Sequence, residues 1–213
     1  MPLVDLDLAP VDKPPPANVR AFLRDANRRI ERFLNDAHIP GFVPSDYERG
    51  YNVLRAIAEA DAAAGSLFCE WGSGLGVVTC LAAMLDFEAC GIEIEGELVD
   101  AAEELAADFD LSVEFIRDSF IPKHAPRCQL GIDGFSWLTN EGGHADERLG
   151  LATDDFDVIF AYPWPDEEDY TERLFERYAR VGAVLVTYHG GDVFRVRRKT
   201  AGRPGRKRQG MAP

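Results

Sequence analysis

Between residues 18 and 37, Val19, Phe22, Leu23, Ala26, Ile30, Phe33, Leu34 and Ala37 recur at helical spacing, with arginines and acids between them. That pattern predicts one amphipathic helix. Ile39-Pro40-Gly41 breaks it, and Phe42-Val43-Pro44 reads as an extended link. Ser45-Asp46-Tyr47-Glu48 reads as a capping box opening a second helix that runs to about residue 64 and is closed by Gly65. From residue 66 the pattern changes. Short apolar runs at 66–71, 89–94, 113–116, 157–161 and 181–187 read as strands, and amphipathic stretches at 77–85, 97–109 and 167–178 read as helices between them. Strands separated by helices of this length predict an α/β fold, a doubly wound and mostly parallel sheet with right-handed crossovers, preceded by a helical extension. Residues 122–155 are long and glycine-rich and read as an insertion with one short helix. The expected divisions are a flexible lead at 1–16, the helical extension at 17–64, the α/β domain at 65–193 and a basic, disordered tail at 194–213.

Composition narrows the partners. Apolar residues make up 46% of the 213, enough for a core. The formal net charge is −14, yet the last 20 residues carry eight basic side chains and no acid, which leaves −22 on the rest. A body this acidic repels phosphate backbones, so nucleic acid is unexpected as its partner and is left open only for the basic tail. No run of about 18 apolar residues exists, so no membrane span is expected. The start lacks the basic and apolar stretches of a secretory signal, and the cytoplasm is the expected location. Cys69, Cys80, Cys90 and Cys128 form no CxxC pair and read as free thiols; no metal is expected.

The most informative stretch is Glu70-Trp71-Gly72-Ser73-Gly74-Leu75-Gly76, a glycine turn between the first parallel strand and its helix. In an open parallel sheet that is where ligands bind. A glycine turn alone also suits a dinucleotide. Glu70, two residues before Gly72, repels a pyrophosphate and suits a cation, such as a sulfonium that also carries an amino group. Glu93, ending the second parallel strand, is placed to accept both hydroxyls of a ribose, and Asp118, ending the third, an adenine amino group.

Glu70-x-Gly72-x-Gly74-x-Gly76, then Glu93, then Asp118, resembles the cofactor half of the class I S-adenosylmethionine-dependent methyltransferases. The resemblance implies a Rossmann-like seven-stranded sheet and S-adenosyl-L-methionine as cofactor. Glu70, Gly72, Ser73, Gly74 and Gly76 would lie along its methionine part, Glu93 with Ile94 at the ribose, and Asp118 with Ser119 at the adenine. The family ends in a reversed strand pair, which here is expected to be short or missing. Phe42-Val43-Pro44, Glu70-x-Gly-Ser-Gly, Gly91-x-Glu93 and a proline-aromatic loop at Pro163 are also similar to protein lysine methyltransferases that act on the ATP synthase c subunit. By that likeness Tyr47, Tyr51 or the Val43-Pro44 link would cover the site.

Tyr162-Pro163-Trp164-Pro165 follows the fourth parallel strand, where the methyl acceptor would approach. Nucleic-acid amino methylases often carry Asn or Asp where Tyr162 stands, which argues against a base as substrate. An aromatic wall of Tyr162 and Trp164 attracts a cationic amine, and the acids from Asp166 to Asp169 add to that pull while also suiting a helix start. Tyr162, Trp164 and His189 are the candidate catalytic residues, with Tyr162 also against the cofactor. The expected function is methyl transfer to an amine nitrogen, on a protein lysine or a small cationic metabolite. The alternatives are a non-catalytic protein that binds S-adenosylmethionine and, behind it, an NAD-dependent oxidoreductase.

Overall fold

The structure is a computed structural model. It describes residues 2–202 apart from positions 10, 12, 37, 38, 40, 127–137, 140, 141 and 192. Cys128, His38, residues 203–213 of the expected tail and the middle of the 122–155 insertion therefore lie outside the described residues.

Seven strands form one sheet: β1 (Leu3–Asp5), β2 (Leu67–Trp71), β3 (Glu88–Glu93), β4 (Glu114–Arg117), β5 (Val158–Ala161), β6 (Val184–Tyr188) and β7 (Phe194–Lys199). Their order is β1-β7-β6-β5-β2-β3-β4. The run from β4 to β6 is parallel throughout. Strand order reverses between β2 and β5, and a ligand crevice forms at such a switch point, beyond the carboxyl ends of the strands.

Alternation along the strands sorts the core into two layers. Cys69, Trp71, Ile92, Ile159 and Leu185 pack against Leu174 and Phe175 of α6 (Glu168–Tyr178). Phe68, Val158, Phe160 and Val186 point the other way, onto Leu54 and Ile57 of α2 (Tyr47–Glu59) and Val78 and Ala82 of α3 (Val77–Ala83). The apolar stripe of α1 (Ala17–Asp36), with Val19, Phe22 and Ile30 buried, packs on α3 and α4 (Gly96–Asp108). The insertion contributes α5 (Ala145–Leu149), a helix of one turn. Cys69, Cys80 and Cys90 are buried free thiols.

Three expectations are corrected. The second helix is capped by Asp46, whose side chain accepts from the Arg49 amide, and it stops at Glu59, short of residue 64. Asp61 then takes a left-handed φ of 48°, which no helix can continue. Second, residues 194–199 are not tail but β7, antiparallel to β6 with Val186 opposite Val196. Three of its basic side chains are anchored: Arg197 pairs with Glu172 of α6 at 2.7 Å, Arg198 donates to the Ala62 carbonyl, and buried Lys199 donates to the Ala179 carbonyl. Third, the lead is not wholly loose. Leu3, Val4 and Asp5 pair with Lys199, Arg198 and Arg197, so β1 closes the sheet beyond β7.

Candidate active site

The carboxyl ends of β2, β3, β4 and β5 open into a cleft of about 490 Å³, within the range of small-molecule and cofactor sites. Glu70, Gly72, Ser73, Gly74, Glu93, Ile94, Asp118, Ser119, Tyr162 and Trp164 all border it. Gly76 and His189 do not. Gly76 faces away, where a Cβ would lie 2.3 Å from the Phe115 ring and 2.9 Å from Ala102. Its φ of 68° also demands glycine. We expect Gly76→Ala to lower stability by about 2–5 kcal/mol in urea unfolding; a loss below about 0.5 kcal/mol would contradict the packing. The His189 ring sits beside the Thr187 hydroxyl at 2.8 Å and 3.9 Å from Glu168, off the cleft, and burial lowers its pKa, so it stays neutral near pH 7.

The glycine turn is bonded inside the protein. The Gly72 and Ser73 amides donate to the Ile92 carbonyl at 2.9 and 3.1 Å, Gly74 donates to Glu93 Oε2 at 2.8 Å, and Gly76 donates to the Ser73 carbonyl at 2.8 Å. A dinucleotide fold leaves such amides to a pyrophosphate. Here a carboxylate has taken one of them. Gly72, with φ 72°, faces open space, so a Cβ there would project into the room a ligand needs. The Ser73 hydroxyl is buried without a partner among the described residues and presses toward Gly91 rather than a ligand.

Each acid is fixed by backbone donors. Glu70, 5% exposed, accepts from the Thr79 amide at 2.8 Å and the Thr79 hydroxyl at 2.6 Å. Burial pushes its carboxyl up to about 8 against those bonds, and the nearby Glu93 charge adds to the rise. Glu93 accepts from Gly74 through Oε2, and from Ile94 and Glu95 through Oε1 at 2.8 and 3.0 Å. Burial raises its pKa too, opposed by those three amides. Asp118 Oδ1 accepts from the Ser119 and Gly143 amides, both at 2.7 Å, and so ties the insertion to the rim. A carboxylate offers about four acceptor positions, so Glu93 and Asp118 retain capacity for a ligand. Trp71 stacks on Phe120 at 5.1 Å beside Asp118 and gives that end an apolar wall.

The other lining residues come from the link before α2, from the insertion and from the loop after β5. Phe42, in the link before α2, lies so near Gly74 that a Cβ there would approach its ring to 2.9 Å. Val43 and Tyr47 border the same mouth, whereas Tyr51 is buried in the core. Burial, with Glu70 nearby, holds the Tyr47 hydroxyl protonated. Leu138 and Thr139 reach in from the insertion. At the other end, the Tyr162 ring leans on Tyr188 at 4.6 Å, and Tyr188 stacks on Phe194 of β7. Buried Glu167 completes that end. Among the described residues no group of acids, cysteines and histidines is arranged to hold a metal ion, and no helix is long and apolar enough to cross a membrane.

No protein-family model and no curated protein matches the sequence. Solved structures are similar in fold. A methyltransferase from Geobacter sulfurreducens matches at 15% identity over 88% of this chain and 93% of its own, with a TM-score of 0.56. An RNA methyltransferase from Salinibacter ruber in complex with S-adenosyl-L-homocysteine matches at 17% identity over 78% and 97%, with a TM-score of 0.50. An O-methyltransferase from Bacillus cereus in complex with the same molecule matches at 16% identity over 83% and 68%, also at 0.50. The chain has the Rossmann-like fold of class I S-adenosylmethionine-dependent methyltransferases.

Proposed function

We propose that the chain is an S-adenosylmethionine-dependent methyltransferase acting on an amine nitrogen, on a protein lysine or a small cationic metabolite. The observation that carries the cofactor reading is the bond from the Gly74 amide to Glu93. It removes a phosphate-binding donor from the glycine turn and places a carboxylate where a cationic nucleoside, and not a pyrophosphate, is welcome. Gly72 and Gly74 would lie along the methionine part near Glu70, Glu93 would hold the ribose, and Asp118 would face the adenine amino group beside the Trp71–Phe120 wall.

The cofactor supplies an electrophilic methyl group on a positively charged sulfur. The protein's contribution is placement and exclusion of water. Phe42 and Tyr47 close one side, and Tyr162 and Trp164 wall the acceptor end. Aromatic faces favour a cationic side chain there. The similar structures named for RNA and O-methylation do not share this chain's sequence closely enough to lend it their substrates. The net charge of −14 disfavours RNA at the body of the protein.

Calorimetry tests the reading. S-adenosylmethionine and S-adenosylhomocysteine should bind and NAD should not. Glu93→Gln keeps the shape but replaces one accepting oxygen with a donor, and should weaken cofactor binding by about 10- to 100-fold. Unchanged affinity in that variant would remove Glu93 from the ribose, and NAD binding would overturn the cofactor assignment. Tight cofactor binding with no labelled product in any fraction of a cell extract would instead favour a non-catalytic binding protein.

A further inference from the structure

We infer that Glu70 tells S-adenosylmethionine from S-adenosylhomocysteine by the charge on sulfur, so that methyl transfer itself loosens the spent cofactor. The inference rests on the cofactor reading above and names the side chain that senses whether the methyl group is still in place.

Glu70 has half of its accepting capacity in use. Oε2 takes both bonds from Thr79, and Oε1 accepts none among the described residues. The residue is 5% exposed and borders the cleft. The titratable groups that face it bring no positive charge: Tyr47 of α2, Cys80 of α3 and Glu93 of β3, with Cys69 beside it on β2. No lysine, arginine or histidine lines the cleft among the described residues. A carboxylate buried without a counter-charge is costly, and a cation entering the cleft relieves that cost.

Its place in the sheet matches the place of the sulfur. Glu70 lies opposite Gly91 on β3 and Phe160 on β5, and residues paired in parallel strands share a face. Phe160 packs with Tyr47 and Tyr162 on that face, which is the acceptor end of the cleft. On the other side stands Glu93, near enough for its charge to be felt at Glu70. The sulfur joins the ribose to the methionine chain and must also face the acceptor. It would therefore fall between Glu93, Gly72 and Tyr162, over Glu70.

The reaction changes the charge at that point. The acceptor's lone pair forms the new N–C bond, and the electron pair of the broken S–CH3 bond stays on sulfur. The positive charge passes to nitrogen, which sheds a proton to solvent. A carboxylate at this depth attracts a sulfonium more strongly than it would in water, because less solvent screens the pair. A neutral thioether gives it no such partner. The nucleoside and the amino acid end are common to both ligands, so a difference in their affinities isolates the sulfur.

The test titrates the full chain in a calorimeter with each ligand separately, at pH 6 and at pH 8.5. At pH 8.5 the wild type should bind S-adenosylmethionine about 10-fold or more tighter than S-adenosylhomocysteine. The preference should shrink at pH 6, where burial keeps Glu70 protonated in the free protein. Glu70→Gln should bring the two affinities within about 3-fold of each other at both pH values, by weakening S-adenosylmethionine alone. Equal wild-type affinities, a preference indifferent to pH, or a variant that keeps the preference or weakens both ligands alike would overturn the proposal. The wild-type comparison across pH stands without the variant, should Glu70→Gln fail to fold. If neither ligand binds, the cofactor reading falls and this one with it; a protein that binds both without regard to charge overturns this one alone.

Discussion

Ending the chain at residue 193 should abolish the native fold. The shorter chain loses β7, and with it the partner of β6 on one side and of β1 on the other. It strips the antiparallel ladder from Val184 to Tyr188, exposes that strand's edge and removes the Phe194 ring from Tyr188. It also unpairs Glu172 and leaves the Ala62 and Ala179 carbonyls without their donors. Orphaned buried polar groups cost about 1–3 kcal/mol each, and the lost strand pairing adds to that. A domain with a total stability of about 5–15 kcal/mol does not survive such a loss. Circular dichroism and thermal unfolding read the outcome. A folded, cooperatively melting chain of residues 1–193 would show that β7 is dispensable.

The second large effect concerns pH. Glu70 lies between Thr79 and Glu93 with its carboxyl pushed up to about 8, against an ordinary value of 4.5. The folded protein thus holds a proton that the unfolded chain releases between those values. The stability this gives is fully present below pH 4.5 and is lost as pH rises through about 8. Over that window one such proton changes stability by at most about 1.4 kcal/mol per pH unit. Glu70→Gln keeps an oxygen to accept from Thr79 and removes the ionisation. Its stability should decline less than that of the wild type as the buffer is raised from pH 5 to pH 9, and near pH 9 it should be the more stable by a few kcal/mol. Chemical unfolding at four pH values tests this, and parallel curves for the two proteins would refute it. The same variant should bind S-adenosylmethionine less tightly, since a cation in the cleft favours the ionised carboxylate. A gain in stability with a loss in affinity marks a group held for its ligand rather than for the fold.

The parts of this molecule that are legible in its sequence are local. The turn from Glu70 to Gly76 needs glycines at left-handed φ, so it advertises itself in seven residues, and Glu93 and Asp118 stand out as acids that end apolar runs. The core helices were legible through their apolar period. The hidden parts depend on distant partners. Phe194-Arg195-Val196-Arg197-Arg198-Lys199 reads as a basic tail because its charges find carbonyls and one acid far away in sequence. Its alternating Phe194 and Val196 were the available hint of a strand. Leu3–Asp5 has no strand character without β7 beside it. In the cleft, Phe42 and Trp71 meet Gly74 and Phe120 from separate segments, contacts that no local pattern announces, and Glu167 reads as one of several acids at a helix start. Only burial tells it from its neighbours.

Because Leu3 lies opposite Lys199 and the Thr200 amide donates to the Pro2 carbonyl, β1 finds its partner only once β7 has been made. At about 5–20 residues per second, that strand waits on the order of 10–40 s for its mate. Until β7 emerges the nascent sheet has an open border, and the arrival of that strand is the event that shuts it. Slowing translation between the codons for β6 and β7 should lengthen that vulnerable interval without altering the mature molecule.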